Sequence, residues 1–97
     1  MKTDFEIVND SWDENGFLGK LQDGIFDRTA YNILRDALLR LKTIDYDYFE
    51  KEFVAVIWFI PTFMRRKQEY IQDISSKELN SLKEELEGLI ADILGYP

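Results

Sequence analysis

The 97-residue sequence contains neither cysteine nor histidine. Without cysteine there are no disulfides, thiolate metal sites or cysteine nucleophiles, and a reducing compartment suits the chain. Without histidine the common triads, zinc sites, haem ligation and imidazole acid/base catalysis are excluded as well. Also missing are internal repeats, low-complexity segments and Pro/Gly/Ser-rich linkers, so a single domain spanning 1–97 is expected. The longest apolar stretch, Phe53 to Met64, is broken by Pro61 and Thr62. It falls short of the roughly 18 residues of a membrane-spanning helix, so it is expected in the core. Met1 to Asp10 carries acids and no apolar core segment, unlike a secretory signal, and the expected location is cytoplasmic.

Apolar residues make up 45% of the chain, enough to offset the entropy of ordering it, as an acidic disordered tail could not. The formal charge of −7 repels phosphate backbones and favours a basic partner, although acidity is also a common route to solubility. The charge is unevenly spread. Met1 to Asp27 holds seven acids against Lys2 and Lys20, whereas Arg28 to Lys42 holds four bases against Asp36.

The pattern predicts helices. Phe5 to Val8 alternates too briefly to establish a strand, and Asn9, Asp10 and Ser11 supply cap residues for a short helix through about Gln22, which Gly16 and Gly19 weaken. Asp23-Gly24 marks a turn, and Asp27 can cap a helix from Arg28 to about Lys42. In it Ala30, Tyr31, Leu34, Ala37, Leu38 and Leu41 share one face, with Arg28, Arg35 and Lys42 in a stripe outside it. Asp47 with Glu50 resembles a capping box and predicts a third helix. Phe53 to Ile60 is apolar on every side, as in a segment buried all round, and periodicity alone does not separate helix from central strand. β-branched and aromatic content favours a strand; the amphipathic continuation through Arg65, Glu69 and Gln72 favours a long helix kinked at Pro61, the preferred reading. Ser75 with Glu78 caps a last helix whose stripe is Leu79, Leu82, Leu86, Leu89, Ile90 and Ile93, ended by Gly95. The expected fold is all-α: a compact bundle of three to four helices around a central apolar segment, with a small α+β domain as runner-up.

Carboxylate chemistry survives these exclusions, so Asp10, Asp13 and Glu14, or Asp45, Asp47 and Glu50, could pair or hold a hard metal. Neither set fits a motif. An EF-hand loop from Asp13 would need Gly and Glu where Leu18 and Gly24 stand. Helix capping and a solvated surface explain both sets, and no catalytic, cofactor or metal role is assigned. Gly16, Gly19 and Gly24 lack phosphate-loop spacing and read as turn or close-packing positions. Arg65, Arg66 and Lys67 form the only basic run, with Tyr70 near enough to stack a base, but three charges on an acidic molecule are too few for nucleic acid. They are expected to solvate a helix end or to pair with Glu69, Asp73 or the acidic amino terminus. Trp12 and Phe17, among Asp13, Glu14 and Asn15, form an aromatic pair expected either partly exposed, for binding, or anchoring the first helix in the core.

From Ser11-Trp12-Asp13-Glu14-Asn15-Gly16-Phe17, through Gly24-Ile25-Phe26-Asp27, to the helix of Tyr31, Leu34 and Leu38, residues 1–45 resemble small immunity proteins of bacterial polymorphic toxin systems, of the contact-dependent growth inhibition type. The resemblance implies a non-enzymatic cytoplasmic protein that binds a cognate toxin C-terminal domain, basic and a nuclease, and touches neither nucleic acid nor membrane. A nuclease presents a cationic surface to phosphate, so an acidic inhibitor gains electrostatic steering toward it. The partner-binding residues expected on this reading are Asp10, Trp12, Asp13, Glu14 and Phe17, with Asp45, Asp47 and Glu50 as a second acidic set. The alternative is a helical adaptor or regulatory subunit, and a carboxylate enzyme ranks third.

Overall fold

The computed structural model describes residues 2–42 and 51–94. Helix α1 (Asp4–Asp10) starts at Thr3, whose hydroxyl accepts from the Glu6 amide at 3.2 Å and donates to the Glu6 carboxylate at 3.3 Å. Asn9, Asp10 and Ser11, expected to open a helix, close this one instead. The Ser11 amide donates to the carbonyls of Ile7 and Val8 at 3.1 and 3.2 Å, and its hydroxyl to the Val8 carbonyl at 2.5 Å. Two turns of helix are too short to display a period or to stand alone; packing against α3 sustains them.

A turn over residues 11–16 leads into α2 (Phe17–Gln22), so the helix expected after the Asn9–Ser11 cap keeps only its second half, and α1 forms where the sequence assigned no element. The glycines are the reason. A Cβ at Gly19 would lie 1.8 Å from the Asp13 carbonyl oxygen, and one at Gly16 would lie 2.4 Å from that of Asp10. Only glycine lets α2 fold back this tightly onto the turn before it. The amides of Leu18 and Gly19 then donate to the Ser11 carbonyl at 2.8 and 3.2 Å.

Helix α3 (Arg28–Lys42) matches the expected span. Asp27 caps it: its carboxylate accepts from the Ala30 amide at 3.1 Å and its carbonyl from the Tyr31 amide at 2.9 Å. Tyr31, Leu34, Ala37, Leu38 and Leu41 are buried along one face, with Ala30 part-buried at its edge. The flanking bases are drawn into ion pairs. Arg28 meets Glu78 at 2.8 Å and Lys42 meets Asp92 at 3.1 Å, both on α5, while Arg40 meets Asp4 of α1 at 2.7 Å. Arg35 turns to its neighbour Asp36 at 3.1 Å. Exposed pairs contribute only about 0–1 kcal/mol each, so they fix the setting of α3 more than its stability.

Helix α4 (Lys51–Lys67) carries the apolar run as a helix, continues through Pro61, and passes into a single 3₁₀ turn at Gln68–Tyr70. Proline lacks an amide hydrogen, which leaves the Ile57 carbonyl without its intrahelical donor. Phe53, Ile57, Ile60, Pro61 and Met64 are buried at helical spacing, but Trp58 and Phe59 stay 40% and 41% exposed and Ala55 faces solvent. The expectation of burial all round is therefore corrected: α4 is one-sided, with aromatic rings on its outer face. The predicted cap at Asp47 and Glu50 lies outside the described residues.

Helix α5 (Ser76–Leu94) begins where expected, with the Ser75 hydroxyl accepting from the Glu78 amide at 3.1 Å. The Glu78 carboxylate reaches Arg28 rather than closing a capping box. Leu79, Leu86, Leu89 and Ile90 are buried, Leu82 and Ile93 partly so. The helix end proposed at Gly95 lies outside the described residues. In the assembled bundle α3 packs on both α1 and α5, α4 packs on α5, and α2 is wedged against α3 and α4. The described residues form five α-helices and no strand, so the all-α expectation holds, with α2 as the helix that takes the count beyond four.

Candidate functional site

The turn over residues 11–16 separates two clefts. The first, about 380 Å³, lies between α1, the turn and α3; its lining includes Lys2, Asp10, Asp13, Asn15 and Ile33. The second, about 280 Å³, lies between α2 and α4 and is walled by Trp12, Glu14, Leu18, Gln22, Asp23 and Phe63. The acids singled out from the sequence straddle the turn: Asp10 and Asp13 on one cleft, Glu14 with Trp12 on the other.

Their electrostatic states differ. Asp10 is held by Lys2 at 2.5 Å, and this hydrogen bond, with the accompanying charge attraction, raises the Lys2 ammonium above its ordinary pKa. Asp27 is paired with Lys20 at 2.5 Å, and Asp4 with Arg40. Asp13, Glu14 and Asp23 are exposed and take part in no ion pair among the described residues. Glu6, exposed on α1, is also without an ion pair among the described residues, so three of the four unneutralised acids of the amino-terminal third lie around the turn and the second cleft.

Trp12 is a wall of that cleft. Its indole stacks on Phe59 with ring centroids 5.8 Å apart and planes 17° from parallel, and meets Phe63 edge-on at 5.0 Å. Its Nε1 is buried and finds no acceptor among the described residues, which costs about 1–3 kcal/mol relative to a paired group. The ring is part-buried, so it both anchors the turn and presents an edge to the cleft. Phe17 corrects the sequence reading: it is enclosed, 1% exposed, with its ring edge-on to Phe26 at 5.9 Å and to Tyr31 at 5.3 Å. As the first residue of α2 it points into the core, the anchoring alternative of the two expected, and only borders the first cleft from within. Asp45, Asp47 and Glu50 lie outside the described residues.

Sequence reasoning missed the surface beyond Phe63. Arg65, Arg66 and Lys67 form the last turn of α4 and join no ion pair among the described residues, which fits the helix-end alternative and not pairing with Glu69 or Asp73. Asp73 instead accepts from the Phe26 amide at 3.3 Å. The Arg66 guanidinium lies over Phe59 at 5.5 Å, and the Lys67 ammonium over Phe63 at 5.7 Å and Tyr70 at 6.0 Å. Spacing gave the signal: Phe59, Phe63 and Lys67 are four apart, and Phe59 and Arg66 seven apart, which puts ring and cation on one helical face.

Among the described residues no three carboxylates converge as a metal site would need. Tyr31, buried and hydrogen-bonded to Glu85, has its hydroxyl pushed well above the ordinary tyrosine range, first by burial and then by that carboxylate, so it stays a protonated donor tying α3 to α5. No helix of the described residues is long and apolar enough to cross a membrane. No family model, curated protein or solved structure matches the chain.

Proposed function

We propose that this chain is a non-enzymatic immunity protein that binds a cognate bacterial toxin domain, a basic nuclease, in the cytoplasm, with the turn over residues 11–16 and the Trp12 cleft as its contact surface. One observation carries the reading. Of the amino-terminal acids, Asp4, Asp10 and Asp27 are occupied by Arg40, Lys2 and Lys20, while Glu14 and Asp23 are left exposed on the wall of the Trp12 cleft and Asp13 on the other side of the same turn. An inhibitor of a phosphate-binding enzyme needs that combination: free negative charge to speed encounter with a cationic surface, and an aromatic wall to resist dissociation. The same charge disfavours nucleic acid as a direct ligand.

The test is surface plasmon resonance against the toxin domain encoded beside this protein's gene, at low and at physiological salt. Asp13→Lys, Glu14→Lys and Asp23→Lys combined should slow association about 10-fold or more at low salt and flatten its salt dependence, with dissociation changed less. Circular dichroism checks that the variant folds. Unchanged rates would move the interface elsewhere; no binding by the unmutated chain would favour the helical adaptor.

A further inference from the structure

We propose that the ring-lined face formed by Trp12, Phe59, Phe63 and Tyr70 is a self-complementary surface on which two copies of this chain associate. Three features of the face support this, and none depends on the toxin reading.

The first is apolar exposure. Phe59 is 41% and Tyr70 71% exposed, Trp58, 40% exposed, is next to Phe59 on α4, and Phe63 lies buried beneath as the floor of the face. The 3₁₀ turn bearing Tyr70 approaches the α2–α3 turn, where a Cβ on Gly24 would stand 3.5 Å from the Tyr70 carbonyl oxygen and where Ile25 is 47% exposed. A run of aromatic rings with arginine beside it has the composition of energetically dominant interface residues.

The second is the distribution of free charge. On the α4 side, Arg65, Arg66 and Lys67 lack carboxylate partners among the described residues, and Glu69 is the single acid between them and Tyr70. On the α2 side, Glu14 and Asp23 are equally free and wall the cleft that Phe63 shares. Arg66 and Lys67, over Phe59, Phe63 and Tyr70, and Glu14 and Asp23, on the cleft that Phe63 shares, therefore border the same rings from two sides. A two-fold axis through the rings would set the bases of each copy against the acids of the other, twice over, as an isologous contact requires.

The third is what the arrangement rejects. A phosphate backbone or an anionic lipid surface drawn to Arg65, Arg66 and Lys67 would meet Glu14 and Asp23 beside them, inside a molecule of net charge −7. A second copy turns those same carboxylates into partners. The long-range repulsion between two acidic copies opposes association, but at physiological salt it is screened over about 8 Å, whereas pairs in contact are not. A weak, concentration-dependent dimer is the expected form. Dimerisation would also cover Glu14 and Trp12, placing self-association in competition with any partner at that cleft.

Sedimentation equilibrium of the full chain and two charge-swapped variants tests this. The unmutated protein should show a reversible monomer–dimer equilibrium. Arg65→Glu, Arg66→Glu and Lys67→Glu combined, and separately Glu14→Lys with Asp23→Lys, should each raise the dissociation constant about 10-fold or more. An equimolar mixture of the two variants should recover a heterodimer. Tyr70→Ala, at a site too exposed to hold the fold, should weaken the dimer without changing the circular dichroism spectrum. A monomer up to about 1 mM would overturn the proposal. So would a dimer indifferent to both swaps, or a mixture that stays monomeric while each variant is folded.

Discussion

The Tyr31 hydroxyl of α3 donates to the Glu85 carboxylate of α5 and lies 3.3 Å from the Leu82 carbonyl oxygen, so one buried ring fastens α3 to α5. Replacing it by phenylalanine keeps the packing and deletes the polar tie. Tyr31→Phe should lose about 1 to 2 kcal/mol at neutral pH. Because folding raises the Tyr31 pKa above its ordinary 10.0, the stability tied to the protonated hydroxyl is fully present below that value and is lost as pH rises beyond it. Urea unfolding at about pH 8 and about pH 11 should therefore show the wild type losing more stability than Tyr31→Phe across the interval. Equal losses would mean that Tyr31 titrates as it does in the unfolded chain.

Asp27 behaves in the opposite sense. The Lys20 hydrogen bond first, then the Ala30 amide, hold its carboxyl below the ordinary value of 3.8. Its contribution is present above that value and disappears as pH falls through the lower folded-state pKa. Asp27→Ala should cost about 1 to 2 kcal/mol at pH 7 through loss of the cap, and the gap to the wild type should close toward about pH 2. A gap independent of pH would show that the carboxylate's charge plays no part.

Two glycines should respond in opposite directions. Gly19→Ala forces a methyl group against the Asp13 carbonyl, 1.8 Å away before any adjustment, and should destabilise by about 3 kcal/mol. Gly88 lies within α5 with nothing inside 4 Å of an added Cβ, so Gly88→Ala should stabilise by about 0.5 to 1 kcal/mol. Thermal melts of both variants suffice; a neutral Gly19→Ala would mean that α2 does not fold back on the turn.

The two tryptophans report on two surfaces. In Trp58→Phe the remaining indole, Trp12, is packed on Phe59 and Phe63; in Trp12→Phe the remaining one, Trp58, is on the exposed face of α4. Acrylamide should quench Trp58 more readily, and its emission should lie further to the red. The reverse order would contradict the assignment of the outer face of α4.

Helices α3 and α5 were legible because each combines a cap residue, Asp27 or Ser75, with an uninterrupted stripe of long apolar side chains. Such local signals do not depend on the rest of the chain. Helix α1 is too short to reveal a period, and the late start of α2 at Phe17 is hidden because the close approach at Gly16 and Gly19 is a tertiary fact. The exposed rings of α4 were hidden for a different reason: where every position is apolar, the pattern carries no information about which face is outward. At the candidate site, residue types singled out Trp12 and its neighbouring acids as candidates. Which acids remain free was not readable, since Asp4 is neutralised from 36 residues away by Arg40 and Glu78 from 50 away by Arg28.

The central position of α3 bears on how this fold can vary over evolutionary time. Because α1 and α5 both rest on it, and α4 packs on α5, α2 and α1, the buried side chains of the first three helices and of the last two belong to one shared core. A recombination event that joined one half to the other half of a diverged relative would bring together mismatched faces. Accepted changes on α3 should be accompanied by compensating changes on α1 or α5, leaving paired substitutions, such as at Tyr31 with Glu85, as the mark of shared descent.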